Sequence, residues 1–144
     1  MRFAARRNLR VFDGSYAAVP MDVANLDTVT AFTTKDGSQV RELAHPAWTA
    51  ARNQSLAEAT VLAGGATAAH WHPVAEEIYL ITHGAGWMRL GEERRAVGVG
   101  DCVVIPPGTE HQLENTGAAP LRLLCCCAPA YSDEDTVLTP EVPA

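Results

Sequence analysis

The sequence predicts an all-β fold, an antiparallel barrel or jelly-roll-like sandwich in one domain. The chain has 144 residues, a length typical of a single domain. Short apolar and β-branched runs recur along it, separated by turns such as Gly64-Gly65 and Pro106-Pro107-Gly108. No run has the length and periodicity of a helix of more than one or two turns. Many short strands joined by glycine-containing turns are typical of barrels and sandwiches.

The individual strands follow from alternation and from the turn residues between them. Within residues 21–36, the alternation of Val29, Ala31 and Thr33 predicts a peripheral strand. Further strands are predicted at 40–43, 56–62, 67–72, 77–83, 87–90, 94–97, 102–105, 111–114 and 121–127. We expect 56–62 and 67–72 to pair as a hairpin around Gly64-Gly65. We expect the acidic segment after Pro129 to lie on the surface or against a partner subunit.

A pair of histidines one residue apart is the strongest chemical feature of the chain. His70 and His72 point to the same face if this segment is a strand, so they can chelate one cation. Glu77 begins the next predicted strand, and His111 follows a turn from which a side chain can reach inward. Three imidazoles and one carboxylate suit a first-row divalent metal: zinc, iron, nickel, manganese or copper.

The spacing of these residues forms two blocks. The first block is Gly64, five residues, His70, one, His72, four, Glu77, six, Gly84. The second is Gly100, five residues, Pro106, one, Gly108, two, His111, three, Asn115. Together they resemble the two sequence motifs of the cupin superfamily at every fixed position.

The resemblance to cupins implies a small β-barrel with one divalent metal ion per chain held inside by His70, His72, Glu77 and His111. It also implies a single cupin domain over residues 1–144. We expect an N-terminal arm at about 1–20, a motif core at 64–115 and a C-terminal tail at about 129–144.

Two adjacent glutamates compete for the carboxylate position. The cupin motif tolerates three or four residues between the second histidine and the glutamate, but only Glu77 also leaves six residues before Gly84. Alternation puts Glu77 on the same face as Tyr79, so we expect Glu76 in the loop. Glu77 either binds the metal directly or orients a bound water.

A few further residues are candidates for catalysis or substrate contact. The predicted hairpin would bring the segment before Asn53 to the metal-bearing end, so His45 is either a fourth histidine ligand, a catalytic acid or base, or a loop residue in water. Trp48 is the candidate substrate contact at the barrel mouth. Tyr79 and Met88 are either cavity walls or plain core.

Charge and cysteine content limit the partners and the compartment. The net charge of −6 divides into about +1 through His72 and about −7 beyond it, which argues against a nucleic-acid partner. No apolar run is long enough to cross a membrane, and the N-terminus lacks the apolar core of a signal peptide. The adjacent Cys125-Cys126-Cys127 cannot cross-link distant segments, so with Cys102 they indicate a reducing, cytoplasmic location.

The fold does not fix the chemistry, and three functions remain open. The chain as a whole resembles the small cupin cyclases of aromatic polyketide pathways, of the resistomycin or tetracenomycin kind. That resemblance implies zinc-dependent aldol-type ring closure and aromatisation of a hydrophobic poly-β-ketone in antibiotic biosynthesis. Its histidine-leaning ligand preference puts the direct role of Glu77 in question and draws attention to His45. The alternatives are a quercetinase-like dioxygenase and a non-enzymatic small-molecule-binding module.

Small cupins commonly pair edge strands, so we expect a homodimer.

Overall fold

A computed structural model of the protein describes residues 20–141, and within this range the chain forms eleven β-strands and no α-helix. The strands are β1 (Phe32–Thr33), β2 (Gln39–Ala44), β3 (Ser55–Val61), β4 (His70–Trp71), β5 (Glu76–His83), β6 (Ala85–Leu90), β7 (Glu93–Gly98), β8 (Cys102–Ile105), β9 (His111–Glu114), β10 (Leu121–Ala128) and β11 (Val137–Leu138).

The strands form two antiparallel sheets. One sheet has six strands in the order β1-β2-β3-β10-β5-β8, and the other has five in the order β11-β4-β9-β6-β7. Consecutive strands β5 and β6 belong to different sheets, as do β3 and β4. This double-sheet arrangement confirms the predicted all-β barrel. Residues 20–141 include no helix that is both long and apolar enough to span a bilayer.

The interior has a densely apolar end, which we define by Val61, Ile81, Leu113, Leu121 and Leu123. Each of these side chains is at most 4% exposed. Burying one such side chain contributes about 1.5–3 kcal/mol. These five residues therefore contribute a large part of the hydrophobic core.

Two glycines near the junction of β5 and β6 are required by backbone conformation or by close approach. Gly84 alone separates β5 from β6 and has a φ of 76°, which L-residues rarely adopt. A Cβ added at Gly86 would lie 2.1 Å from the carbonyl oxygen of Glu114 on β9, so no side chain fits there.

The outer ends of the two motif blocks are bonded to each other. The amide of Gly64 donates to the carbonyl of Asn115 (2.9 Å), and the amide of Asn115 donates to the carbonyl of Gly65 (2.8 Å). The Asn115 side chain is 2% exposed and donates to the carbonyl of Val61 (2.9 Å). Asn115 thus secures the barrel rather than the chemistry.

The predicted hairpin of 56–62 with 67–72 is wrong. β3 lies between β2 and β10, while β4 pairs with β9 and β11 in the other sheet. The Gly64-Gly65 turn carries the chain across from one sheet to the other. A glycine turn alone does not distinguish a hairpin from such a crossing.

The two flanking segments pair only briefly with the barrel. Of residues 21–36 only Phe32–Thr33 is a strand, since pairing with β2 covers just these two residues. The C-terminal tail lies on the barrel surface, where β11 pairs with β4 of the same chain. The predicted N-terminal arm, about 1–20, lies almost entirely outside the described residues.

Candidate metal centre

Four side chains from both sheets meet at one end of the barrel interior. His70 on β4 lies opposite His111 on β9, His72 follows β4 directly, and Glu77 enters from β5 in the facing sheet. All four are at most 5% exposed. One potential ligand atom from each lies within 4.8 Å of the others. The structure therefore brings together the four residues predicted from the motif spacing.

The alternation rule also separates the two glutamates correctly. Glu77 is buried and belongs to this cluster, whereas Glu76 is exposed at the start of β5. The inward positions of β5 continue through Tyr79 and Ile81, both buried.

Each of the three imidazoles is held by a backbone carbonyl at Nδ1. The acceptors are Ala68 for His70 (2.8 Å), Asp135 for His72 (3.0 Å) and Thr109 for His111 (3.0 Å). Because a carbonyl oxygen only accepts, Nδ1 of each ring carries a proton. Each Nε2 is then the atom available to bind a cation in the cluster.

Glu77 lies between two of these imidazoles. Its Oε2 is 3.1 Å from Nε2 of His72 and 3.2 Å from Nε2 of His111. Burial by itself raises the pKa of Glu77, but the adjacent His111 and His72 outweigh it and lower the pKa to about 2. The other oxygen, Oε1, accepts a hydrogen bond from the Cys127 thiol at 3.3 Å. Glu77 is therefore an ionised, fixed carboxylate.

The pKa values of the histidines diverge for physical reasons. Burial lowers the pKa of His70, and the neighbouring His111 lowers it further. Burial also acts to lower the pKa of His72, but the Glu77 carboxylate more than offsets this and the pKa is raised.

The donor set fits a bound divalent cation. Nε2 of His111 is fully buried, and its orientation leaves it without a hydrogen-bond partner among residues 20–141. A buried nitrogen in that state loses free energy unless a cation or proton donor meets it. Two or three imidazole nitrogens with a carboxylate oxygen are the ligands of zinc and other first-row metals. The cluster can thus hold one ion, of an identity that the ligands alone do not select.

A segment far along the chain supports His72. The carboxylate of Asp135 accepts hydrogen bonds from the amides of Val74 (2.9 Å) and Ala75 (2.8 Å). These bonds fix the Asp135 backbone, whose carbonyl holds the His72 ring. From the other side, the amide of Gly108 donates to the carbonyl of His72 at 2.7 Å.

A second carboxylate approaches the cluster from the turn before β2. Oδ1 of Asp36 accepts hydrogen bonds from Thr34 Oγ1 (2.6 Å) and from the amide and hydroxyl of Ser38 (2.9 and 2.7 Å). Oδ2 of Asp36 lies 3.8 Å from Nε2 of His70. One oxygen is therefore anchored while the other faces the candidate metal site.

A cavity of about 50 Å³ lies between the sheets beside the cluster and opens to solvent. Its walls are mostly apolar or small, including Val40, Ala57, Ala59 and Leu123, together with Tyr79. Asp36 and Cys127, which contact the metal ligands, also line it. None of the four candidate ligands lines the cavity, which adjoins the candidate metal site through Asp36 and Cys127.

The other predicted site residues lie at different distances from this cavity. Tyr79 lines it, but Met88 is buried beside a separate cavity of about 380 Å³ that extends to β7 and β8. Trp48 is 60% exposed and stacks on His45 with ring centroids 4.4 Å apart. Neither Trp48 nor Met88 lines the cavity beside the metal cluster.

His45 is outside the four-residue cluster and is engaged on both sides of its ring. Nδ1 accepts a hydrogen bond from the amide of Ala47 (3.0 Å), so Nε2 carries the proton and donates to the carbonyl of Tyr131 (2.9 Å). The structure places His45 next to Tyr131 and Glu42, both of which line the cavity. It does not bring His45 among the metal ligands.

Sequence reasoning missed three polar residues at the site: Asp36, Glu42 and Asp135. Asp36 is in a Lys-Asp-Gly turn and Asp135 in an acidic tail, and both settings also suit solvent-exposed residues. Glu42 carried the one usable signal, since in a strand it shares a face with apolar Val40.

Comparison with known proteins agrees with this geometry. The profile of a family described as "Cupin domain" matches residues 57–127. A relative in Methanocaldococcus jannaschii, the uncharacterized protein MJ1618, is 49% identical over 110 residues, which is 76% of this chain and 88% of the relative. Protein SchB of Streptomyces halstedii is 31% identical over 88 residues, covering 61% of this chain and 64% of SchB. This chain therefore spans slightly less than two thirds of SchB.

Solved structures share the fold at low sequence identity. Oxalate decarboxylase of Lactobacillus farciminis superposes with a TM-score of 0.66 at 22% identity, covering 78% of this chain and 34% of that one. Streptomyces Pac13, a nucleoside dehydratase, superposes with a TM-score of 0.65 at 17% identity, covering 83% and 91%. The same double-sheet barrel thus serves as the scaffold of enzymes.

Proposed function

This chain belongs to the cupin superfamily, and on that premise we propose that it is a metal-dependent enzyme that enolises a carbonyl substrate. The specific reaction we propose is aldol-type ring closure and aromatisation of a poly-β-ketone in antibiotic biosynthesis. The observation that carries the proposal is the anchored Asp36 carboxylate, whose free oxygen lies 3.8 Å from a metal-ligand nitrogen beside an apolar cavity.

The ion would be held by His70, His72, His111 and Glu77, and we propose zinc. When bound, such an ion acts as a Lewis acid that polarises a carbonyl oxygen. Glu77 would bring a negative charge to the ion: the Cys127 thiol donates to Oε1, and Oε2 faces the same space as Nε2 of His72 and His111.

Asp36 is the proposed base. Three hydrogen bonds immobilise Oδ1, so Oδ2 has a defined direction toward the metal-facing part of the cavity. A carboxylate in this position can take the proton from the carbon next to a carbonyl. The enolate carbon then attacks a second carbonyl of the same substrate molecule, and loss of water gives the aromatic ring.

The apolar walls suit an uncharged substrate, and the cavity volume limits how much of it enters. A volume of about 50 Å³ holds roughly four waters, at about 10–15 Å³ each. One end of a poly-β-ketone therefore enters, while the remainder lies at the mouth. We propose Trp48 as a contact for that outer part, because it is exposed and stacks on His45 next to the cavity-lining Tyr131.

We also propose His45 as a catalytic residue, provided that one of its present hydrogen bonds can be broken. Its ring nitrogens are bonded to Ala47 and Tyr131, so proton transfer requires one of these bonds to exchange for substrate. If His45 acts in catalysis, His45→Ala lowers turnover while metal content stays unchanged. Unchanged turnover would return His45 to a loop-positioning role.

The alternative function is a quercetinase-like dioxygenase. Three histidines and one glutamate also suit iron, nickel, manganese and copper. Metal identity and oxygen dependence separate this alternative from the enolising enzyme. A small-molecule-binding protein without catalysis would show neither oxygen use nor substrate proton exchange.

We also propose that residues 1–144 form one cupin domain that works as a cytoplasmic homodimer. β7 and β8 are unpaired sheet edges within the described residues, and Val104 on β8 is 52% exposed. The four cysteines are free thiols, in keeping with a reducing compartment. Light scattering coupled to gel filtration measures the assembly directly.

Two measurements test the proposed function in order. Elemental analysis of protein purified without chelator should give about one zinc per chain; a redox metal would favour the dioxygenase. Anaerobic incubation with pentane-2,4-dione in D₂O, followed by NMR, should then show protein-dependent exchange of the protons between the carbonyls.

The variants make this exchange assay specific to the site. Asp36→Asn should slow exchange by at least about 100-fold, the usual contribution of a positioned base, and His72→Ala should abolish it. Glu134→Gln, on the exposed tail, is the matched control and should leave the rate unchanged. Equal rates in wild type and Asp36→Asn would remove Asp36 from the mechanism.

A further inference from the structure

The cavity wall formed by β2 and β3 carries a carboxylate that the proposed reaction does not use. Glu42 is 8% exposed and lines the cavity. Its nearest ionisable neighbour is His45, whose Nε2 lies 3.9 Å from Oε1 and is already bonded to the carbonyl of Tyr131. No group among residues 20–141 donates a hydrogen bond to the Glu42 carboxyl.

The Glu42 oxygens are not fully enclosed by protein, so in the free protein they face the solvent of the cavity. A ligand that displaces this solvent must supply a donor of its own, or the carboxyl loses its hydrogen bonds. Burial raises the pKa of Glu42, and His45 only partly opposes this. The carboxyl is thus not neutralised by a close protein cation. An acceptor in this state, facing a cavity, is suited to a donor group on a ligand.

Small side chains connect Glu42 with the metal site. Glu42 lies opposite Ala57 of β3, and Ala57 lies opposite Cys125 of β10. In the adjacent inward-facing row, Ser55 lies opposite Cys127, which lies opposite Glu77. Because alanine, serine and cysteine are small, they leave space that larger residues would fill. We call Ala57, Ser55, Cys125 and Cys127 the cavity floor; it runs from Glu42 toward the candidate metal ligands.

We propose that Glu42 is the far end of a ligand subsite and accepts a hydrogen bond from a hydroxyl of a ligand whose carbonyl faces the metal ligands. The substrate class is then a short hydroxy-ketone, or the enol end of a longer poly-β-ketone. This inference rests on the proposed function of the same cavity. A hydroxyl fits better than an ammonium group, because burying a cation among apolar walls costs more.

The test compares two ketones that differ by one hydroxyl. Dissociation constants of 4-hydroxybutan-2-one and butan-2-one are measured by NMR titration of the metal-loaded protein. We expect the hydroxy-ketone to bind at least about 10-fold more tightly, as for a hydrogen bond to a charged acceptor. Equal affinities, or tighter binding of the matching amino-ketone, would overturn the hydroxyl subsite.

Variants assign the preference to Glu42. Glu42→Leu should abolish the preference, and Glu42→Gln should keep part of it because the amide oxygen still accepts. Glu92→Leu, in the exposed turn between β6 and β7, is the control and should keep all of it. A hydroxyl preference that survives in Glu42→Leu would contradict the assignment.

A second variant tests the floor independently of the carboxyl. Ala57→Val adds two methyl groups to the cavity floor. It should weaken the binding of both ketones by a similar factor, about 10-fold, and leave the metal content unchanged. Full retention of both affinities would overturn the path along β3. Circular dichroism and urea unfolding confirm that each variant is folded before titration.

The outcomes also separate this subsite from the proposed reaction. A hydroxyl preference without proton exchange of pentane-2,4-dione supports the subsite and overturns the enolisation. Proton exchange without a hydroxyl preference does the reverse.

Discussion

The two ends of the barrel interior are built from the same strands but from opposite kinds of side chain. At the apolar end, Leu121 and Leu123 on β10 are at most 1% exposed and belong to the hydrophobic core cluster. Six residues along the same strand, Cys127 donates to a buried glutamate beside three histidines. One strand therefore passes from the part that stabilises the fold to the part that carries the chemistry.

The difference shows how a small barrel can remain folded while it buries a cluster of ionisable side chains. Burying a carboxylate and several imidazoles is unfavourable unless they are bonded to each other or to a cation. The apolar end supplies stability that does not depend on those bonds. We therefore expect changes at the two ends to have separable effects, on unfolding at one end and on metal binding at the other.

Removal of a metal ligand should have the largest effect. His70→Ala or His72→Ala leaves three of the four donors, and we expect bound metal to fall from about one per chain to near zero, as measured by elemental analysis. His83→Ala, exposed at the far end of β5, is the control. Full metal retention in either variant would refute the site.

Truncation at the apolar end should destabilise the fold without emptying the site. Leu121→Ala leaves a cavity at a position that is 0% exposed, and we expect a loss of about 2–5 kcal/mol in the free energy of unfolding, measured with urea. Leu62→Ala, 57% exposed, should change little. Loss of metal from folded Leu121→Ala protein would show that the two ends are coupled.

Loss of the support behind His72 should weaken metal binding without preventing it. Asp135→Ala removes the bonds to Val74 and Ala75 that fix the carbonyl holding the ring. Partners of this kind contribute about 10–100-fold in metal affinity, which competition with a chelator measures. Glu134→Ala, the exposed neighbour, should bind like wild type.

The smallest effect is expected from the thiol that holds Glu77. Cys127→Ala removes the donor to Oε1, and we expect a loss of about a few-fold in metal affinity, because a thiol is a weak hydrogen-bond donor. Cys127→Ser keeps a donor and should recover most of the affinity. Cys126→Ala, on the other face of β10, is the matched control. A larger loss in Cys126→Ala than in Cys127→Ala would contradict this assignment.

The sequence predicted the fold class and the four clustered candidate ligands, here called the quartet, because both depend on local periodicity and fixed spacing. His70 and His72 share a face whichever strand they pair with, and Glu77 is selected over Glu76 by its spacing to Gly84 together with alternation. The same rules could not assign sheet membership, so the expected hairpin of 56–62 with 67–72 was wrong. A turn sequence predicts that the chain changes direction, but it does not predict which sheet the next strand joins.

The residues around the quartet could not be predicted because their contacts are long-range. Asp36 lies 34 positions before His70, and Asp135 lies 63 positions after His72. Both residues lie in segments whose composition is typical of exposed loops. Only the folded structure brings them to the site. The acidic tail, which we expected on the surface, also supports His72 through the backbone carbonyl of Asp135.

The strands that carry the metal ligands and those that carry the proposed recognition wall share no residue. The ligands belong to β4, β5, β9 and the residue after β4, whereas Glu42 and Ala57 belong to β2 and β3. Under the proposed function, mutations in β2 and β3 would change which molecule is accepted while the four candidate ligands stay in place. Such a division would make the proposed enzyme evolvable, because its substrate preference could change without any change in the metal-binding residues.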